Sequence, residues 1–215
     1  MYRIVFLLLS SSLLFSCKEK NKEVINLPYY NTANFDPIFI NNQMDVSKIV
    51  THTIDSFTFL NQDSVLITPS VIENKIHVAN FIFTTCGSIC PVMTNNLKIV
   101  GDQFLKDTSV VLLSYSVTPW IDKPFILKNY KQKNKIYNTN WHFLTGDRTK
   151  IYKLARQSYF AEENIGFSKD SSEFLHTEHV MLIDKSKRIR GVYNGTLALE
   201  MQHLVEDIRK LQQEE

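Results

Sequence analysis

Apolar positions along this chain follow two periods. His77 to Phe83 (H-V-A-N-F-I-F) and Ser109 to Val117 (S-V-V-L-L-S-Y-S-V) are short, nearly continuous apolar runs rich in Val, Leu and aromatic residues. That is the pattern of strands buried on both faces. Between them Val92, Met93, Leu97, Val100, Phe104 and Leu105 recur near helical spacing and predict a helix over Pro91 to Leu105. Pro124 to Ile136 opens with proline at a first helical turn and is amphipathic. Trp141 to Leu144 reads as a short strand, and Asp147 as the cap of a helix running to about Tyr159. Phe57 to Leu60 and Ser64 to Ile67 predict a small hairpin, and Val180 to Ile183 with Ile189 to Tyr193 a second one around Lys185-Ser186-Lys187. Thr196 to about Gln212 is a closing amphipathic helix.

Strands alternating with crossover helices imply a partly parallel central sheet covered on both faces. A βαβα run followed by a hairpin and a helix is the order of a thioredoxin-like domain: three α/β/α layers, a mixed sheet and an antiparallel edge. The expected extent of this domain is 51–215.

The first residues have a different character. Arg3 precedes the apolar stretch Ile4 to Phe15. At 1.5 Å per residue that stretch covers about 18 Å, short of the roughly 30 Å hydrocarbon core of a bilayer. It reads as the apolar part of a secretory signal over 1–16. Leu14-Phe15-Ser16-Cys17 resembles a bacterial lipobox, which implies cleavage before Cys17 and lipid attachment there. Lys18 to Glu23 is charged and free of apolar residues, as expected of a solvated tether, and the Asn-rich stretch from Val24 to about Val50 is expected to be an irregular lead-in. The tether and lead-in together cover 17–50. The expectation is an exported protein held at a membrane by lipid, with its domain outside the cytoplasm.

Composition narrows the function. Lys and Arg number 24 against 22 Asp and Glu, a formal charge of +2, which argues against an electrostatic nucleic-acid binder. Three cysteines are too few for a disulfide scaffold. With Cys17 assigned to the leader boundary, Cys86 and Cys90 remain as a pair.

That pair lies in Thr84-Thr85-Cys86-Gly87-Ser88-Ile89-Cys90-Pro91, between a buried strand and the following helix. Side chains four apart on a helix share one face, at a spacing that lets two sulfurs meet on one metal ion or oxidise to a disulfide. The partial positive charge of a helix N-terminus favours thiolates there. A static disulfide closing so short a loop would contribute little stability. A third donor is available in Phe174-Leu175-His176-Thr177-Glu178-His179, with His176 and His179 both open candidates. Two thiolates and an imidazole suit Cu(I), and the imidazole also admits Cu(II). Met93, one turn beyond Cys90, falls on the apolar helix face and reads as core. The Lys128 to Lys133 run reads as a solvated helix face.

These stretches together resemble the Sco/SenC family of copper-binding, thioredoxin-like proteins that assist cytochrome c oxidase assembly. Asn80 to Pro91 is similar to the family's F-x-(F/Y)-T-x-C-x3-C-P signature, and Ser116-Val117-Thr118-Pro119-Trp120-Ile121-Asp122-Lys123-Pro124 to its S-x-D-P-x-x-D-T-P. Trp141 to Gly146 and the His176 stretch match further segments, so the resemblance spans roughly Thr58 to Gln212. It implies Cys86, Cys90 and His176 as copper ligands, selecting His176 over His179 by register. Thr118 stands where the family usually has Asp, Asp122 keeps the second acidic position, and Leu175 replaces an Asp that often precedes the ligand histidine.

Two functions follow as expectations. One is a metallochaperone that carries one copper ion to the dinuclear copper centre of cytochrome c oxidase subunit II or to another copper-receiving thiol protein. The other is a thiol–disulfide oxidoreductase whose redox pair, Cys86 and Cys90, reduces a partner's cysteines.

Overall fold

The computed structural model describes residues 26–40, 45–161 and 177–214. The signal segment, Cys17 and His176 lie outside the described residues. The element order is α1 (Val46–Ile49), β1 (Phe59–Asn61), β2 (Leu66–Ile67), a 3₁₀ turn (Pro69–Val71), β3 (Ile76–Ile82), α2 (Ile89–Gln103), β4 (Val110–Ser116) and α3 (Pro124–Lys133). It continues with β5 (Trp141–Thr145), α4 (Arg148–Lys153), a π-helical turn (Leu154–Ser158), β6 (His179–Ile183), β7 (Ile189–Asn194) and α5 (Ala198–Glu214).

The seven strands form one mixed sheet in the order β2-β1-β5-β4-β3-β6-β7. β3, β4 and β5 run parallel, while β6 pairs antiparallel with β3 and β7, and β1 with β5 and β2. Every residue of β3 and β4 is buried, as their unbroken apolar runs require. Alternation divides β3 between two cores: Ile76, Val78 and Ile82 face the layer of α2, α3 and α5, and Ala79 and Phe81 face the layer of α4. Gly101 lets α2 lie close on the sheet, since a Cβ there would stand 2.8 Å from the Trp141 ring. This is the three-layer arrangement expected from the sequence.

Three local features differ from the sequence reading. The helix after Asp147 is capped as expected, the Asp147 side chain accepting from the Lys150 N–H at 2.9 Å, but its second half widens into the π turn. Lys131, read as part of a solvated face, is half-buried and its ammonium donates to the carbonyls of Asn138 (2.8 Å) and Trp141 (2.5 Å). The lead-in is largely irregular but pinned. Tyr30 bridges to Ile189 of β7, and the Arg190 guanidinium lies 3.9 Å from the Tyr29 ring centre while donating to the carbonyls of Leu27 and Pro28. Glu214, at the end of α5, completes this junction by accepting from Arg190 at 2.7 Å and from the Leu27 N–H at 3.1 Å.

Candidate functional site

The parallel strands β3, β4 and β5 end together, and the loops that follow them gather at one end of the sheet. The loop after β3 carries Cys86; the loop after β4 carries Thr118 and Asp122. The C-terminal ends of parallel strands are where α/β proteins build ligand sites.

The Cys86 N–H closes a turn onto the Phe83 carbonyl at 3.2 Å. α2 then starts at Ile89, two residues before the expected boundary, so Cys90 falls within its first turn. Ser88 is the residue before that turn, yet its side chain makes no capping hydrogen bond. The Cys86 sulfur occupies that role, accepting from the Cys90 N–H at 3.5 Å. Helix N-termini present unsatisfied N–H groups and partial positive charge, both of which favour a thiolate.

The two sulfurs are consequently unlike. Both are free thiols, Cys86 half-buried and Cys90 buried. Burial pushes the Cys86 thiol up, but the N–H groups of Cys90, Ser88 and Ile89 and the Cys90 thiol outweigh it, and its pKa falls below the ordinary value. Burial pushes the Cys90 thiol up to about 12, with the neighbouring Cys86 and Asp122 charges adding to the rise. A side chain added at Gly87 would meet nothing within 4 Å, so the loop between the sulfurs is open to an incoming group.

Asp122 is fully buried beneath this loop. Its carboxylate accepts from the Thr84 N–H at 3.2 Å, the Thr84 hydroxyl, the Ser116 hydroxyl at 2.6 Å and the Thr118 hydroxyl at 2.9 Å. It thereby ties the loop carrying Cys86 to the end of β4. Tyr130 of α3 is a further neighbour. Its phenol meets the Thr94 hydroxyl at 2.8 Å, and burial first, then the charges of Cys90, Cys86 and Asp122, push it up to about 12. The sequence reading passed over Tyr130 because it lies inside the lysine-rich run; its spacing three residues after Leu127, which is buried, was the available signal.

The structure brings Cys86 and Cys90 together. Met93 is fully buried in the core, as read from its helical face. His179, the competing histidine, begins β6 and packs edge-on against Phe35 with ring centres 5.8 Å apart. Among the described residues, no three His, Cys, Asp or Glu side chains converge as a metal-binding group. A soft cation fits the donors that are present: two adjacent sulfurs, one already disposed toward the thiolate, at an open loop.

The model of the SCO1/SenC family matches residues 47–213. The chain belongs to the SCO1/SenC family. Similar solved structures include a SCO1/SenC family lipoprotein from Bacillus anthracis str. Ames, 28% identical with a TM-score of 0.63, covering 75% of this chain and 95% of that one. BsSco, described as a member of the Sco family of cytochrome c oxidase assembly proteins with a disulfide switch, is 26% identical with a TM-score of 0.64, covering 76% and 95%. ScoI from Bradyrhizobium japonicum, solved with copper bound, is 23% identical with a TM-score of 0.54, covering 74% and 99%. The fold is thioredoxin-like, with the cysteine pair at the junction of β3 and α2. No helix among the described residues is long and apolar enough to cross a membrane.

Proposed function

We propose that this SCO1/SenC family protein is a copper metallochaperone. It binds one copper ion through Cys86, Cys90 and His176 and delivers it for assembly of the dinuclear copper centre of cytochrome c oxidase. The observation that carries the reading is the open pair of adjacent sulfurs, held against the first turn of α2 by the Cys90 N–H on the Cys86 sulfur. Relatives solved with copper and described as oxidase assembly proteins support the cargo and the context.

The case for His176 starts from the sheet. Asn80 of β3 pairs with Val180 of β6 in antiparallel register, so β6 begins at the end of the sheet at which β3 hands over to the cysteine loop. Thr177, the residue after the proposed ligand, is itself buried there. Copper transfer then proceeds by ligand exchange. An incoming thiolate from the acceptor replaces one donor at a time, and the open loop at Gly87 admits it. Lipid attachment at Cys17 would hold the domain at the membrane outside the cytoplasm, within reach of a membrane-embedded acceptor. A lipoprotein among the similar structures supports that placement.

The unlike thiols favour a second reading alongside the first. As a thiol–disulfide oxidoreductase, the protein would use the Cys86 thiolate to attack a partner disulfide, releasing one partner thiolate and forming a mixed disulfide. Cys90 would then lose its proton and attack the Cys86 sulfur, closing a Cys86–Cys90 disulfide and freeing the second partner thiol, with two electrons passed to the partner.

The test is an anaerobic copper titration of the reduced domain beginning after Cys17, beside Cys86→Ser, Cys90→Ser and His176→Ala. The expected result is one copper per parent chain and strongly weakened retention in each variant. Full retention in all three would exclude this site. Disulfide reductase activity that survives His176→Ala while copper retention falls would separate the second reading from the first.

A further inference from the structure

Cys86 and Cys90 lie at the C-terminal ends of the parallel strands. The turns that lead into β5, β4 and β3, and the turn between β6 and β7, line up along the other end of the sheet. They follow the strand order β5-β4-β3-β6, at about 4.8 Å per strand. Each carries a lysine: Lys135, Lys106, Lys75 and Lys187 in that order. Among the described residues none of these four ammonium groups pairs with a carboxylate. Of the acids in the same turns, Asp184 faces Arg190, Asp107 accepts from Ser109 and Gln212, and Glu73 is exposed. Two exposed apolar side chains share the row: Leu105, next to Lys106, and Tyr137, two residues after Lys135.

Two of the lysines sit in costly backbone. Lys135 and Lys187 have φ values of 53° and 64°, in the left-handed region that favours Gly or Asn. Asn74, at φ 54° beside Lys75, is the residue such a turn prefers. Lysine at the other two positions is unfavourable for the turn itself, so its charge points to a use outside the fold.

This end is also where the chain arrives from the leader. The Leu27 N–H donates to Glu214, at the end of α5 away from the cysteines. The stretch from Cys17 to Leu27 spans at most about 35 Å when fully extended. A lipid on Cys17 therefore keeps the lysine row within reach of the bilayer surface. From this placement, and resting on the reading that Cys17 carries lipid, we infer that the row is a docking surface for an anionic phospholipid bilayer. The ammonium groups meet headgroup phosphates, and Leu105 and Tyr137 enter the interfacial layer. Docked this way, the cysteine loop faces away from the bilayer. It stands about one length of α5 above it, 17 residues or about 25 Å.

The test reconstitutes the full-length chain into vesicles of phosphatidylcholine alone, or of equal parts phosphatidylcholine and phosphatidylglycerol. Amine acetylation is then mapped by mass spectrometry. Acetylation of Lys75, Lys106, Lys135 and Lys187 should slow at least about fivefold with phosphatidylglycerol, the effect of one basic side chain near an anionic surface. High salt should restore the rates. Lys150, in α4 at the cysteine end, should react equally in both vesicles. The variant Lys106→Gln/Lys135→Asn/Lys187→Asn removes three charges and relieves both strained turns. Its melting temperature should match or exceed that of the parent, yet Lys75 should react at one rate in both vesicles.

Equal rates for the four parent lysines in the two vesicles would overturn the inference, as would protection of Lys75 that persists in the variant. Protection that appears in detergent alone and grows with protein concentration would mark a second copy on this face and overturn it equally. An intact mass without lipid on Cys17, from chain recovered off the vesicles, would instead defeat the attachment reading, and this inference with it.

Discussion

The hydroxyl of Thr118 donates to the carboxylate of Asp122 at 2.9 Å, and both side chains are buried. Thr118 occupies the position where the resembling motif usually carries Asp. A second carboxylate there would face Asp122 across hydrogen-bonding distance, and two such groups cannot both ionise without cost. Threonine instead supplies a donor to the single acid that remains. Thr118→Val removes that donor and keeps the volume. It should destabilise the protein by about 1.5–3 kcal/mol, the usual range for a hydrogen bond to a charged group. Urea unfolding of the metal-free protein measures this, and an unchanged midpoint would show that the contact contributes nothing.

The two thiols should react at very different rates. Cys86 has its pKa lowered and is half-buried, whereas Cys90 is buried and held protonated up to about 12. Alkylation by iodoacetamide near neutral pH, mapped by mass spectrometry, should label Cys86 first and leave Cys90 unmodified until the protein unfolds. Equal labelling of both in the folded protein would contradict the asymmetry on which the order of thiol attack rests.

Acid should destabilise the fold through a residue remote from the cysteines. His77 is fully buried, its Nε2 3.1 Å from the Tyr159 hydroxyl, and burial lowers its pKa from 6.5 to about 3. The folded state therefore keeps the neutral ring while the unfolded chain takes up a proton below pH 6.5. The contribution of His77 is complete above that pH and is lost as pH falls from 6.5 toward 3, up to about 5 kcal/mol. His142, lowered to about 4 mainly by burial, adds in the same direction. His77→Phe should flatten the dependence of the urea midpoint on pH across this window, and an unchanged slope would contradict the assignment.

The lead-in should depend on Arg190. This buried cation pairs with Glu214 at 2.7 Å and Asp184 at 3.6 Å and holds the carbonyls of Leu27 and Pro28. Arg190→Met would remove the buried cation that Glu214 and Asp184 both face, at a cost of about 3–5 kcal/mol. Limited proteolysis should then cut near residues 27–30 in the variant and spare them in the parent. Equal resistance would show that the lead-in is held by other contacts.

These contacts mark where the sequence was readable and where it was not. β3 and β4 were legible because strands covered on both faces write their burial as unbroken apolar runs. Cys86 and Cys90 were legible because the pair sits at a strand-to-helix junction that local pattern predicts. Asp122 was visible as an acid near the site, but its cradle draws on Thr84, 38 residues away, and no local pattern encodes such a contact. Arg190 reaches 163 residues back to Leu27, and the Lys131 ammonium meets the carbonyls of Asn138 and of Trp141 at the start of β5. The widening of the helix after Lys153 into a π turn leaves no mark in the helical periodicity of the sequence.

The central claim is that Cys86, Cys90 and His176 close on one copper ion, and X-ray absorption spectroscopy of the copper-loaded protein tests it most directly. The account predicts two sulfur scatterers and one imidazole per copper in the parent, with one sulfur lost in Cys86→Ser or Cys90→Ser and the imidazole lost in His176→Ala. A copper shell of nitrogen and oxygen alone, or one unchanged by all three substitutions, would contradict it.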